Sequence, residues 1–283
     1  MTLWIDLIES EISIVGGQHP TRTLTAGEGT PIMLLHGQGG SLENFRHNVP
    51  ALAARYHVVA PDLLWHGRSD TPPVDRRLIP VWVNQMLELM QKLKLGPSHL
   101  LGQSLGGWVA ATIALQHPEL VRSLVLTTPM GLDPGAPPGH ESLAPVLKAQ
   151  IAALDELSMD SIRARMSPLF GDPDLLDDEI VGVRHAFYSD PDVNRALREV
   201  ASAYLGSTDT DPYRLGPDAL AQISVPTLLY WGTHNFGGAE AGDALAQALP
   251  ATAEYHCADV GHWAQYEQFD EYNSTVLSFL RDK

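Results

Sequence analysis

A chain of 283 residues, 44% of them hydrophobic, carries ample material for a sizeable core in one large domain or two modest ones. Its formal charge of −16, from 34 acidic against 18 basic residues, repels phosphate backbones and anionic membranes, so neither nucleic-acid nor lipid partners are expected. The lone cysteine, Cys257, excludes an intramolecular disulfide. No apolar run reaches the ~18 residues of a membrane span, and "MTLWIDLIES" lacks the basic start of a secretory leader, so a cytoplasmic protein is expected.

In chain order, "EISIV" (11–15) and "TRTLTA" (21–26) read as an opening hairpin. "PIMLL" (31–35), "YHVVA" (56–60), "SHLLG" (98–102) and "SLVLT" (123–127) are near-continuous apolar runs, the pattern of parallel strands covered on both faces. "TLLYW" (227–231) and "AEYHC" (253–257) resume the set after a long gap. Helical patterns lie between them at 42–54 behind Ser41, and at 81–94, 105–117 and 239–249. This alternation predicts an α/β fold with a mostly parallel sheet of eight strands flanked by helices.

The gap runs from "GLDPGAPPGH" (131–140) to "GSTDTDPYRLGP" (206–217), two stretches rich in chain-reversing Gly, Pro and Asp. The segment between them has no convincing buried strand and is mostly helical in pattern. It reads as a lid over the carboxyl ends of the strands, where open α/β sheets hold their ligands. The expected division is a first core piece at 1–132, a helical lid at 133–214 and a second core piece at 215–283.

The chemistry begins at Gly102-Gln103-Ser104-Leu105-Gly106, a G-x-S-x-G pattern that follows a buried strand and opens a helix. That setting is the one a nucleophile elbow requires, because the sharp turn exposes the serine and leaves no room for side chains on its flanks. The bland reading makes Ser104 a helix cap. "LLHGQGGS" (34–41) also ends a buried strand, so the backbone N–H groups of Gln38 and Leu105 are candidates for an oxyanion hole, unless these glycines merely turn the chain. His262, in "ADVGHWAQYEQF", follows the last strand and precedes the last helix, where the general base belongs in the order Ser…acid…His. Asp62 and His66 are expected to fix the loop after their strand. Twelve histidines show no metal-ligand spacing, so no metal or other cofactor is expected.

The acid is the puzzle. "TLLYWGTHNFGG" (227–238) ends a strand and offers Asn235 where an aspartate is normally delivered. Asparagine can accept the imidazole N–H but brings no full charge, and removing the charge from a serine protease triad lowers turnover roughly 10⁴-fold. Asp133 and Asp259 are the alternative carboxylates.

With these parts assembled, the chain resembles the α/β-hydrolase superfamily, and within it the meta-cleavage product hydrolases, which cut a carbon–carbon bond in vinylogous 1,5-diketones. The likeness rests on "GHWAQYEQFDEYNSTVLSFL", "SLVLTTPMGLDPG" and "DDEIVGVRHAF". It implies a small-molecule substrate and a homodimer. It also implies that Trp263 packs on the substrate, that Arg184 grips the dienoate carboxylate, and that Asn44, with Gly39 nearby, lies at the same polar end. In plainer terms Arg184 is a solvated charge and Trp263 is core. The family usually has asparagine before its serine, whereas this chain has Gln103, a longer amide that can still reach the pocket. The expectation is a serine hydrolase for a C–C bond or ester of an aromatic-derived or polyketide-like substrate; the alternative is a non-hydrolytic catalyst or binding protein on the same scaffold.

Overall fold

The computed structural model describes residues 10–74, 77–135, 144–205, 212–281 and 283. Eight strands form one sheet: β1 (Ser10–Val15), β2 (Thr21–Ala26), β3 (Pro31–Leu35), β4 (His57–Pro61), β5 (Ser98–Gln103), β6 (Val121–Thr127), β7 (Thr227–Gly232) and β8 (Glu254–Ala258). Their spatial order is β1-β2-β4-β3-β5-β6-β7-β8. β2 pairs antiparallel with β1 and with β4, and every other pairing is parallel.

The apolar runs of β3 to β7 become strands because each feeds two cores at once, whereas β8, at the sheet edge, is exposed along most of its length. Met33 and Leu35 point into one cluster, while Ile32 and Leu34 point into the other. Leu229 and Trp231 against Leu228 and Tyr230 repeat the split on β7. Alternate side chains leave opposite faces of a strand, so a run that is apolar throughout needs cover on both sides.

Eleven helices are described: α1 (Val49–Ala53), α2 (Leu78–Lys92), α3 (Leu105–Gln116), α4 (Ala144–Asp155), α5 (Met159–Met166), α6 (Asp178–Tyr188), α7 (Pro191–Leu205), α8 (Pro217–Leu220), α9 (Gly238–Ala248), α10 (Ala264–Glu267) and α11 (Phe269–Leu280). None is long and apolar enough to cross a membrane. The helix expected at 42–54 is instead a 3₁₀ turn at Leu42–Phe45 followed by the short α1. Pro50 lacks an N–H and its ring opposes the carbonyl one turn back, so a continuous helix cannot pass through it.

Between β6 and β7 the described backbone from Ala144 to Leu205 is helical apart from short turns. It has its own apolar cluster, built on Leu154, Ile162, Met166, Ile180, Val181 and Leu197, and joined by Trp263 and Tyr266 from beyond β8. The two Gly/Pro/Asp-rich flanks lie partly outside the described residues.

Candidate active site

The site is assembled from loops at the carboxyl ends of β3, β5, β7 and β8, facing the helical segment. Ser104 stands between β5 and α3 with φ 54° and ψ −116°, in the left-handed region that residues other than glycine rarely occupy. The strain is held by three backbone bonds: its N–H donates to Thr127 O at 3.0 Å, and its carbonyl accepts from Met130 N at 3.0 Å and Trp108 N at 3.2 Å. The flanking glycines are required by contact. A Cβ on Gly102 would lie 2.2 Å from Gly106 O, and one on Gly106 would lie 2.0 Å from Leu35 O.

His262 is held in place on every side. Its N–H donates to Leu169 O at 2.7 Å. Its own carbonyl accepts from Thr128 Oγ1 at 2.8 Å and from Gln103 Nε2 at 3.1 Å. Its Nδ1 lies 2.7 Å from Asn235 Oδ1. An amide oxygen only accepts, so Nδ1 carries the proton and Nε2 keeps its lone pair. Burial, and then the nearby Arg165 guanidinium, push the imidazole pKa down to about 3. The ring is therefore neutral at physiological pH.

The two alternative acids point elsewhere. Asp259 is exposed and bonds His234 Nε2 at 2.8 Å and Thr233 Oγ1 at 3.1 Å. Asp133 accepts from Gly135 N at 2.9 Å and pairs with Arg214. Among the described residues, the partner of His262 Nδ1 is Asn235.

Ser104 and His262 line one cavity together with Gln38, Asn44, Gln103 and Trp263, and its apolar wall includes Met130, Val146, Leu147, Leu169 and Phe236. Gln103 serves both as wall and as support for the His262 carbonyl, a role its extra methylene allows. Leu105 opens α3 directly after the serine. Gly39 is one residue beyond the cavity wall, its carbonyl accepting from Tyr188 Oη at 3.0 Å. Arg184 is not the solvated charge of the bland reading: it is 1% exposed. It stands behind the wall, donating from Nη2 to Asn44 Oδ1 at 2.9 Å, with its guanidinium 5.2 Å from the centre of the Trp263 ring. Trp263 is at once core and cavity wall.

Asp62 and His66 act as loop anchors. Asp62 pairs with Arg22 at 2.7 Å and accepts from Leu42 N at 2.8 Å and Arg68 N at 2.9 Å, while His66 Nδ1 lies 2.8 Å from Leu64 O.

Two important residues escaped the sequence reading. Glu267 clamps the histidine loop, accepting from Gly261 N at 3.0 Å, Gly171 N at 2.8 Å and Trp263 N at 3.3 Å. Arg165, on α5, is 7% exposed and lines the cavity. Arg165 sits in no recognisable motif, and Glu267, five residues after the histidine, lies within the "GHWAQYEQF" stretch without anything in the sequence to assign it a role.

A serine on a tight strand–turn–helix bend beneath a helical segment, with a histidine after the last strand, is the arrangement of the α/β-hydrolase class. The family model for the alpha/beta hydrolase fold matches residues 30–170. A 2-hydroxy-6-oxononadienedioate/2-hydroxy-6-oxononatrienedioate hydrolase from Comamonas testosteroni is 30% identical over 90% of this chain and 89% of its own length. A 2-hydroxy-6-oxo-6-phenylhexa-2,4-dienoate hydrolase from Burkholderia cepacia is 29% identical over 90% of this chain and 89% of its own. The solved 2-hydroxy-6-oxo-6-phenylhexa-2,4-dienoate hydrolase of Rhodococcus sp. strain RHA1 superposes with a TM-score of 0.83 at 26% identity, covering 96% of this chain and 99% of that one. The chain belongs to the α/β-hydrolase family, with meta-cleavage product hydrolases among its relatives, and it is an enzyme.

Proposed function

We propose that the enzyme is a serine hydrolase that cleaves the carbon–carbon bond beside a ketone in a small, aromatic-derived keto acid, and that it also accepts esters of similar shape. The single observation that carries this reading is the 2.7 Å contact between His262 Nδ1 and Asn235 Oδ1, which leaves Nε2 free in a cavity shared with the strained Ser104. Nε2 takes the Ser104 proton as the hydroxyl oxygen attacks the ketone or ester carbonyl. The N–H groups of Gln38 and Leu105 receive the developing oxyanion, aided by the amino end of α3. Collapse of the tetrahedral adduct expels the carbon or alkoxide leaving group, which takes the proton back from His262. Water then hydrolyses the acyl-serine by the same route. Residues 133–214 act as the lid, excluding bulk water.

The missing negative charge at position 235 fits a substrate whose leaving group is itself stabilised, such as a dienolate, better than an unactivated amide. It also keeps alive a second reading, in which the neutral His262 shuttles protons in a ring closure or elimination without an acyl-enzyme. The test is labelling by a serine-reactive fluorophosphonate together with loss of the chromophore of a 2-hydroxy-6-oxo-dienoate. Labelling and turnover in the wild type, both abolished in Ser104→Ala, are expected. Turnover that survives Ser104→Ala favours the second reading.

A further inference from the structure

We infer that Thr128 is a positioning residue for this site: a strained turn after β6 holds Ser104 by its backbone and His262 by the Thr128 hydroxyl, and so sets the spacing between the two. The turn touches the nucleophile on both sides. Thr127 O accepts from Ser104 N at 3.0 Å, and Met130 N donates to Ser104 O at 3.0 Å. Between these two contacts, Thr128 Oγ1 donates to His262 O at 2.8 Å. The Thr128 N–H donates to Tyr230 O at 3.0 Å, which anchors the turn to β7.

Thr128 adopts φ 40°, in the left-handed region where Cβ crowds the backbone and a β-branched residue is an outlier. Among the described residues, the other non-glycine positions with positive φ are Trp65, Lys94 and Ser104, none of them β-branched. Glycine would take this conformation without the steric penalty. What threonine adds is a hydroxyl, and that hydroxyl, on a residue 1% exposed, is spent on the histidine carbonyl. Strain kept where an unstrained residue exists points to a role for the group that causes it.

Asn235 explains why such a clamp is useful. A carboxylate would grip the Nδ1–H through a charge-assisted bond, roughly twice as strong as the neutral bond an amide oxygen offers. With the weaker grip, more of the orientation of the imidazole falls on its main chain. His262 O accordingly accepts from two side chains, Thr128 at 2.8 Å and Gln103 at 3.1 Å. Gln103 directly precedes Ser104, so both donors rise from the segments that fix the nucleophile.

The inference rests on the reading of His262 as the base of Ser104, and one of its two readouts needs no chemistry. The first readout is kcat and KM for a 4-nitrophenyl ester. The second is the exchange rate with water of the His262 Nδ1 proton, followed by NMR on protein labelled with ¹⁵N-histidine. Thr128→Val keeps the side-chain shape and removes the donor; kcat should fall roughly 3- to 10-fold, the worth of one hydrogen bond, with KM almost unchanged. Proton exchange should accelerate by a similar factor. Thr128→Ser should restore both. Thr128→Gly relieves the backbone and also lacks the hydroxyl, so it should lose as much activity as Thr128→Val while unfolding at no lower urea concentration; it also serves if Thr128→Val fails to fold. Beside Asn235→Asp, the loss caused by Thr128→Val should shrink to less than about twofold, because the charge-assisted bond then holds the ring. The inference is overturned if Thr128→Val or Thr128→Gly leaves both readouts at wild-type values, if Thr128→Ser does not restore them, or if the loss is undiminished beside Asn235→Asp. A wild type that neither labels with fluorophosphonate nor turns over the ester removes the serine mechanism, and proton exchange in the same variants then decides this inference alone.

Discussion

Asn235→Asp probes the central oddity of the site. The exchange alters one heavy atom and places a full negative charge where a carbonyl dipole now lies 2.7 Å from His262 Nδ1. With charge centres ~4 Å apart and an effective dielectric of about 20, the attraction to an imidazolium is about 4 kcal/mol. Asn235 is 6% exposed, so burying the new carboxylate takes back part of that gain and leaves roughly 2–4 kcal/mol. At 1.36 kcal/mol per pKa unit, the His262 pKa should climb from about 3 to roughly 4.5–6. The same energy stabilises the imidazolium formed when Ser104 gives up its proton, worth roughly 30- to 1,000-fold in kcat on an ester whose chemical step is slow. The assay is kcat/KM for a 4-nitrophenyl ester between pH 4.5 and 8. The wild type should show no acid limb, since His262 is already deprotonated throughout this range. The variant should run faster at pH 8 and lose activity as pH falls toward 5. A variant with unchanged rate and a flat profile refutes the role assigned to residue 235.

Other outcomes follow from the same geometry. Gly106→Ala forces a Cβ to within 2.0 Å of Leu35 O, where backbone must move, so a loss of about 1–3 kcal/mol or more in urea unfolding is expected, together with loss of labelling. Glu267→Gln turns an amide nitrogen toward backbone donors at Gly261 and Gly171; about 1–3 kcal/mol of stability should go, and kcat should fall more than KM rises as the His262 loop shifts. Acid should destabilise the fold. Burial lowers His66 and His99 to about 4 and His262 to about 3, all below the ordinary 6.5 of an unfolded chain. The unfolded state thus binds more protons below pH 6.5. Stability is whole above that value and declines toward pH 4, by up to about 1.36 kcal/mol per pH unit for each histidine. An equal urea midpoint at pH 7 and pH 5 would contradict this.

The strands were the most readable elements, because a segment covered on both faces must be apolar along its whole length, and "PIMLL" begins and ends as β3 does. The 42–54 helix was misread because its periodicity hid the break imposed by Pro50. Ser104 was legible through its glycines, whose necessity is local: Gly102 and Gly106 meet backbone a few residues or one strand away. Arg165 and Glu267 left no such trace. Glu267 ties the adjacent histidine loop to Gly171, 96 positions away, and Arg165 faces a cavity it shares with Gln38 and His262. A charged side chain on a helix looks the same in sequence whether it faces water or a cavity.

The order of Ser104, Asn235 and His262, the mostly parallel sheet and the helical segment between β6 and β7 were all determined by the sequence itself, since each rests on short-range pattern: strand-length apolar runs, turn residues and the steric demands of one tight bend. Only the tertiary structure decided which group meets His262 Nδ1, turning Asp259 out to His234 and Asp133 toward Arg214. It also decided which arginine reaches the cavity. Those choices depend on the direction of side chains brought together from distant parts of the chain, and direction at that range is fixed by packing, which local pattern does not encode.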